Sequence, residues 1–218
     1  MLDSKNKIKK QIMKSFKTIL LLFLVSIAIS CSDSNDSADS SNGSTAPAEY
    51  STVPPYYPID FETDGYGASW TWTVFENDDN PALEVVDNPD KSGINTSSKV
   101  AKMITRANGQ PYAGCESKHG TDIGSFEFDA TNTTVKIMVY KTIISDVGLK
   151  FVEASSDAQP EVKVANTKIN EWEELTFDLS GSIGKGASGI IDQIVVFPDY
   201  KSRSTDHSTY FDNITFGE

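Results

Sequence analysis

The sequence predicts an all-β domain: an antiparallel β-sandwich of the jelly-roll kind, with about nine strands. Three observations carry this. No stretch of ten or more residues repeats apolar positions at helical spacing, short runs of strict alternation recur, and clusters of Gly, Asn, Asp and Pro separate those runs. Residues 56–218 suffice for one sizeable core. Two sheets account for the number of strands and leave few edges open.

The elements before that domain have another role. Lys5, Lys7, Lys9, Lys10, Lys14 and Lys17 precede an apolar run from Ile19 to Ile29 that is broken only by Ser26. The run is short for a bilayer span and is flanked as a secretory signal is, so residues 1–30 read as a signal peptide. It ends in Ala28-Ile29-Ser30-Cys31, which resembles a bacterial lipobox and implies lipidation of Cys31. Cys115 is then the one remaining thiol, which leaves no partner for an intrachain disulfide, and it is expected to be buried as a small hydrophobe. Residues 31–55, rich in Ser, Asp, Asn, Ala and Pro, hold almost nothing apolar to offset ordering entropy. They read as a flexible tether reaching on the order of 25 Å. Ser32-Asp33-Ser34-Asn35-Asp36 resembles the acidic surface-export signals of Bacteroidota lipoproteins, and Asp36-Ser37-Ala38 resembles O-glycosylation sites of that phylum.

The strands follow by period two. Val135, Ile137 and Val139 alternate with Lys136, Met138 and Tyr140. Leu149 and Phe151 alternate with Lys150 and Val152, and Leu175, Phe177 and Leu179 with Thr176 and Asp178. Ile194 and Val196 take one face, Val195 and Phe197 the other; Tyr210, Asp212, Ile214 and Phe216 form the last row. Between them stand Asp78-Asp79-Asn80-Pro81, Asn88 to Gly93, Asn108-Gly109 and Gly181 to Gly189, whose residue types end strands.

Charge excludes some partners. The chain has a formal net charge of −12, but residues 1–30 hold six Lys and one Asp, which leaves the rest with 13 basic and 30 acidic side chains, a net of −17. Nucleic-acid binding needs Lys and Arg against phosphate, so it is not expected, nor is broad docking on anionic lipid.

Three segments carry a family resemblance. They are Ile59-Asp60-Phe61-Glu62 with Trp70-Thr71-Trp72, the run from Val86 to Val100, and Glu171 to Asp178 with Tyr210-Phe211-Asp212-Asn213-Ile214. Together they resemble the galactose-binding-like jelly rolls of carbohydrate-binding modules of the family 4, 9 and 22 type, found in Bacteroidota polysaccharide-utilisation lipoproteins. The resemblance covers nearly all of residues 56–218. It implies a structural calcium ion, with Glu62 and Asp212 as carboxylate ligands and backbone carbonyls near Lys91 to Gly93 beside them. Calcium takes six to eight hard oxygens and accepts carbonyls. The alternative is that both acids are exposed edge residues.

A sugar ring offers an apolar face of C–H groups and a rim of hydroxyls, so a site for it combines aromatic planes with polar groups. Trp70 and Trp72 share one face of an aromatic strand and are candidates for a stacking platform, with a core anchor as the alternative. Tyr112, Glu116 and His119 are candidates to line a cleft, and Tyr200 to flank it; core packing or an ordinary loop is the alternative. Trp172 reads as structural. A glycosidase needs two carboxylates at a set separation, and no Glu-x-Asp-x-x-Glu run, Gly-x-Ser-x-Gly elbow or His-Glu-x-x-His marks an enzyme here. The expected function is non-catalytic capture of polysaccharide, with a laminarin-like β-1,3-glucan as ligand, by a lipid-anchored protein on the outer membrane at the cell surface. Glycan-transporter components are a further expected partner. The alternative is an accessory docking subunit of a glycan-uptake complex with no sugar binding of its own.

Overall fold

The computed structural model describes residues 58–218; the readings at 1–30, at Cys31 and over 31–55 fall outside the described residues. Ten strands follow in chain order: β1 (Thr73–Phe75), β2 (Glu84–Asp87), β3 (Lys99–Thr105), β4 (Gly114–Glu116), β5 (Thr134–Lys141), β6 (Asp146–Glu153), β7 (Val162–Ala165), β8 (Trp172–Asp178), β9 (Ile191–Tyr200) and β10 (His207–Gly217). They make two five-stranded antiparallel sheets. Sheet I runs β1-β4-β9-β6-β7 and sheet II runs β2-β3-β10-β5-β8. Before β1, Ile59 exchanges a pair of backbone hydrogen bonds with Ile214, so the first segment lies against the last strand.

Alternation places the core between the sheets. In β5 the branched residues Val135, Ile137 and Val139 are buried while Lys136, Met138 and Tyr140 face out. In β8 Leu175 and Phe177 turn inward. From sheet I, Cys115, Leu149, Phe151, Ile194 and Val196 meet them, together with Ile59, Phe61 and Phe211. Burial pushes the Cys115 thiol up, which keeps it protonated and inert.

Three register shifts break the simple pattern, and two of them decide where a functional group points. In β10 the pairing with β5 shifts between Asp212 and Thr215, where Asn213 takes a left-handed backbone (φ 48°). The single row expected from Tyr210 to Phe216 is therefore two half-rows. Tyr210 and Asp212 sit on the outer face; Ile214 and Phe216 pack on the core after Thr209 and Phe211. In β9 the pairing with β6 shifts between Phe197 and Tyr200. This keeps both rings on the outer face of sheet I and turns Asp199 between the sheets.

Asp199 gathers groups from both layers there. Thr105 Oγ1 of β3 donates to it at 3.3 Å, His207 Nδ1 of β10 lies at 2.8 Å and Arg203 Nε donates at 3.3 Å. Ser145 also donates to it, and Lys141 Nζ of β5 stands at 3.7 Å. Lys141 and Asp199 are both buried, so this is a desolvated ion cluster that staples one end of the sandwich.

The outer face of sheet II is partly covered. The loop between β2 and β3 folds back over it, and Trp172 on β8 donates its indole N–H to Asn88 Oδ1 (3.0 Å) and to the Asp90 carbonyl (2.9 Å). Asn95 of the same loop donates to Asp212 on β10 at 2.8 Å. Trp172 is thus structural, as its sequence context implies.

Candidate functional site

The outer face of sheet I carries a row of aromatic and small residues that register places side by side. Phe75 on β1 pairs with Gly114 on β4, which lies against Phe197 on β9; Phe197 pairs with Gly148 on β6, which pairs with Lys163 on β7. The glycines make room for the rings. A Cβ at Gly114 would stand 2.8 Å from Phe75 Cζ and 3.0 Å from Phe197 Cδ1, and one at Gly148 would stand 3.0 Å from Phe197 Cδ2. A glycine inside a strand marks such close approach.

The rings form a continuous strip. Phe75 and Phe197 meet edge to face at 5.8 Å, and Phe197 and Tyr200 at 5.6 Å, tilted. Phe197 is the floor, only 3% exposed, while Phe75 and Tyr200 are half-buried. Lys150 Nζ sits 5.5 Å above the Phe197 ring and Lys163 Nζ 3.7 Å above Tyr200, both within cation–π range. Glu161 pairs with Lys163 at 3.1 Å and, together with Tyr200, holds its ammonium above the usual lysine range. Glu116 faces out in the next row, between Thr73 and Val195. The strip therefore combines aromatic rings with two ammonium groups over the Phe197 and Tyr200 faces and with carboxylate and hydroxyl groups beside them, apolar and polar groups of the kind a ring with one apolar face and a polar rim requires.

The residues singled out from the sequence divide. Tyr200 and Glu116 lie on this face. Tyr112, 41% exposed, precedes β4 at its Gly114 end, where Lys201 N–H bonds to the Pro111 carbonyl beside it. His119 lies beyond the other end of β4, its Nδ1 2.6 Å from Asp192 Oδ1. Trp70 and Trp72 share the parity of Val74, which is the core side of β1. Their rings stack at 5.8 Å and 28°, Trp72 packs on Phe61 and Phe211, and its N–H goes to the Gly67 carbonyl at 2.9 Å. Both rings are half-buried and pack at the margin of the core. Phe75, Phe197, Lys150 and Lys163 were not singled out by sequence reasoning; the available signal was the pair of strand glycines, which only register sets beside the aromatics.

The metal reading is tested by Asp212. Its carboxylate is fully buried, accepts from Asn95 and Asn213 through Oδ2, and has no partner at Oδ1. Burial pushes it up to about 6. Glu62 Oε1 accepts the backbone N–H groups of Ser98 and Lys99, so both acids lean on residues 95–99. The orphaned oxygen fits a cation. The loop tip is less well placed. The Asp90 carbonyl, next to Lys91, lies over β8, two strand spacings or about 10 Å from β10. Gly93 is exposed, with nothing within 4 Å of a Cβ built on it. Asn95, not the Lys91 to Gly93 tip, reaches Asp212. Among the described residues no three His, Cys, Asp or Glu side chains converge.

No family model matches this chain, and no curated protein does. Solved structures do. Carbohydrate-binding modules are among them. A family 61 module in complex with β-1,4-galactotriose is 17% identical at a TM-score of 0.44, over 74% of this chain and 96% of that one. A family 29 module variant is 11% identical at 0.41, over 75% and 89%. An arabinose-bound α-L-arabinofuranosidase is 9% identical at 0.52; the match spans 74% of this chain and 26% of that one. At 9% identity, what this last match shares with the chain is the fold alone.

Proposed function

We propose that this protein captures polysaccharide on the outer face of sheet I without cleaving it. The observation that carries the reading is the strip of Phe75, Phe197 and Tyr200, laid over Gly114 and Gly148, with Lys150 and Lys163 reaching over the Phe197 and Tyr200 rings and Glu116 in the next row. Phe75 and Tyr200 supply the stacking surfaces, Tyr112 extends them, and the charged groups hydrogen-bond ring hydroxyls. The ligand is a neutral β-glucan of the laminarin type. Lipid on Cys31 holds the protein at the outer membrane on the cell surface, beside glycan-transporter components, and tethered copies acting on one polymer offset weak affinity at each site.

Affinity electrophoresis of the full chain through gels holding laminarin, mixed-linkage glucan, mannan, xylan or alginate tests this. Laminarin is expected to retard the protein, and Phe75→Ala or Tyr200→Ala to abolish the retardation while leaving the thermal midpoint within a few degrees. Trp72→Ala is expected to do the reverse, lowering stability by about 3 kcal/mol through lost core packing. Retardation by no polymer would overturn the reading, and alginate in preference to laminarin would overturn the ligand class.

The same proposal assigns Asp212, with Glu62 and neighbouring carbonyls, to a structural calcium ion, which would satisfy the orphaned Oδ1 and neutralise a buried charge. Added calcium is expected to raise the melting temperature and EDTA to lower it, with Asp212→Asn insensitive to both. A midpoint unmoved by calcium in the wild type would refute the assignment.

A further inference from the structure

Away from the strip, an open polar cavity stands on different residues, all of them exposed except Asn77. It measures about 350 Å³, within the size range of small-molecule sites, and is lined by Glu76, Asn77, Asp78, Asn80, Asn108 and Gln110 from the loops after β1 and β3. Its frame is fixed. Buried Asn77 donates to the Ile104 carbonyl at 2.7 Å and accepts from Arg106 N–H at 2.7 Å, and Gln110 N–H donates to the Glu76 carbonyl at 2.7 Å. Arg106 forks onto Asp79 and reaches Asp206. Its guanidinium is thus spent outside the cavity, and no Lys or Arg lines the walls.

The lining side chains are otherwise free. Those of Glu76, Asp78, Asn108 and Gln110 make no hydrogen bond or ion pair among the described residues, and Asn80 uses only its Oδ1, which accepts from Asn77 N–H. Two carboxylates that accept, and amides that both donate and accept, converge on one space. A sugar hydroxyl both donates and accepts, so adjacent hydroxyls suit such a set. A uronate or a sulfate does not, because two carboxylates with no cation repel it.

We propose that this cavity is a second binding site, for a neutral hydroxyl-rich sugar ring, separate from the aromatic strip. It rests on the reading that the protein binds glycan, and adds a contact made by polar groups alone.

The test uses the amide resonances of the full chain. Glucose, galactose, mannose, xylose and glucuronate are titrated separately to about 100 mM while the side-chain NH₂ signals of Asn80, Asn108 and Gln110 are followed. At least one neutral sugar is expected to shift them saturably and glucuronate to leave them in place. Asn108→Ala and Gln110→Ala should each weaken the response about 3- to 10-fold, the scale of one lost hydrogen bond. Phe75→Ala should leave the response intact. No shift with any neutral sugar, an equal shift with glucuronate, or a shift with calcium chloride alone would overturn the proposal. If laminarin still retards the protein in that event, this site fails and the strip stands. A response in these amides with no polymer retardation would sink the strip and keep the cavity.

Discussion

At Gly114 a side chain would meet three obstacles at once: the Phe75 ring and the Val196 carbonyl of the neighbouring strand, each 2.8 Å away, and the Phe197 ring at 3.0 Å. The rings can tilt but the backbone cannot move without opening the sheet. At Gly148 the nearest atoms all belong to the Phe197 side chain, two of them in the ring and one its Cβ. The two glycines therefore separate stability from binding. Gly114→Ala is expected to cost about 1–3 kcal/mol, the usual scale of overpacking, and to displace Phe75 from the strip, weakening glycan retention about tenfold. Gly148→Ala is expected to cost less, because its nearest contacts are all side-chain atoms and none is closer than 3.0 Å. Urea melts and gel retardation of both variants check the ordering; equal stability losses would show that the Val196 carbonyl is not the limiting contact. These positions also show why the strip is hard to read from sequence. Phe75, Gly114, Phe197, Gly148 and Lys163 lie on five strands, and nothing in their spacing along the chain announces that they share one row. Tyr200, Tyr112 and Glu116 could be singled out because aromatic and acidic residues near turns are chemically conspicuous one at a time.

Strand faces were legible in the sequence, including both faces of the doubly buried β9, whereas the bulges in β9 and β10 were not. β5 and β8 alternate because branched or aromatic residues face the core and polar ones face out, so period two fixes their register. β9 is buried along nearly its whole length, with Val195 and Phe197 under the strip and Ile194 and Val196 in the core, and its bulge left no trace in the pattern. That bulge places Asp199 in the interlayer ion cluster, and a pH dependence follows. Desolvation pushes the Asp199 carboxyl up, but bonds from Ser145 and His207 and the charges of Lys141 and Arg203 win, so it lies below its ordinary 3.8. A depressed carboxylate contributes stability above its unfolded value that is lost as pH falls through the folded one. Lys141 acts in the same sense at the alkaline end. Burial drives it down to about 8, against partial opposition from Asp199, so the unfolded chain binds the extra proton between about pH 8 and 10.5 and stability rises there. Urea melts from pH 2 to 11 are expected to show a loss below about pH 4 and a gain above about pH 8. Asp199→Asn should flatten the acidic limb and cost about 3–5 kcal/mol at pH 7, since it strands buried cations. An unchanged acidic limb in that variant would mean other carboxylates govern acid unfolding.

Across the whole molecule, charge and ligand class make one joint prediction. The chain is strongly anionic at −12, yet the strip itself presents Lys150 and Lys163 against Glu116 and Glu161, a locally balanced set, and the cavity lining carries two carboxylates and no cation. An anionic polymer would have to approach through a repulsive field and then depend on two lysines. Its retention would be strongly salt-dependent, because exposed charges interact over about 10 Å at 0.1 M salt and only about 3 Å at 1 M. A neutral polymer stacked on Phe75 and Tyr200 depends on apolar contact and short hydrogen bonds, which screening leaves nearly untouched. Retardation in laminarin gels is therefore expected to change less than twofold between 0.1 and 1 M sodium chloride. Lys150→Met should weaken it by no more than the roughly 3- to 10-fold of one lost hydrogen bond, because that exchange keeps an apolar stem over Phe197 while removing the charge. A tenfold loss in salt, or abolition by Lys150→Met, would assign the binding to charge instead of stacking and redirect the ligand search to acidic glycans.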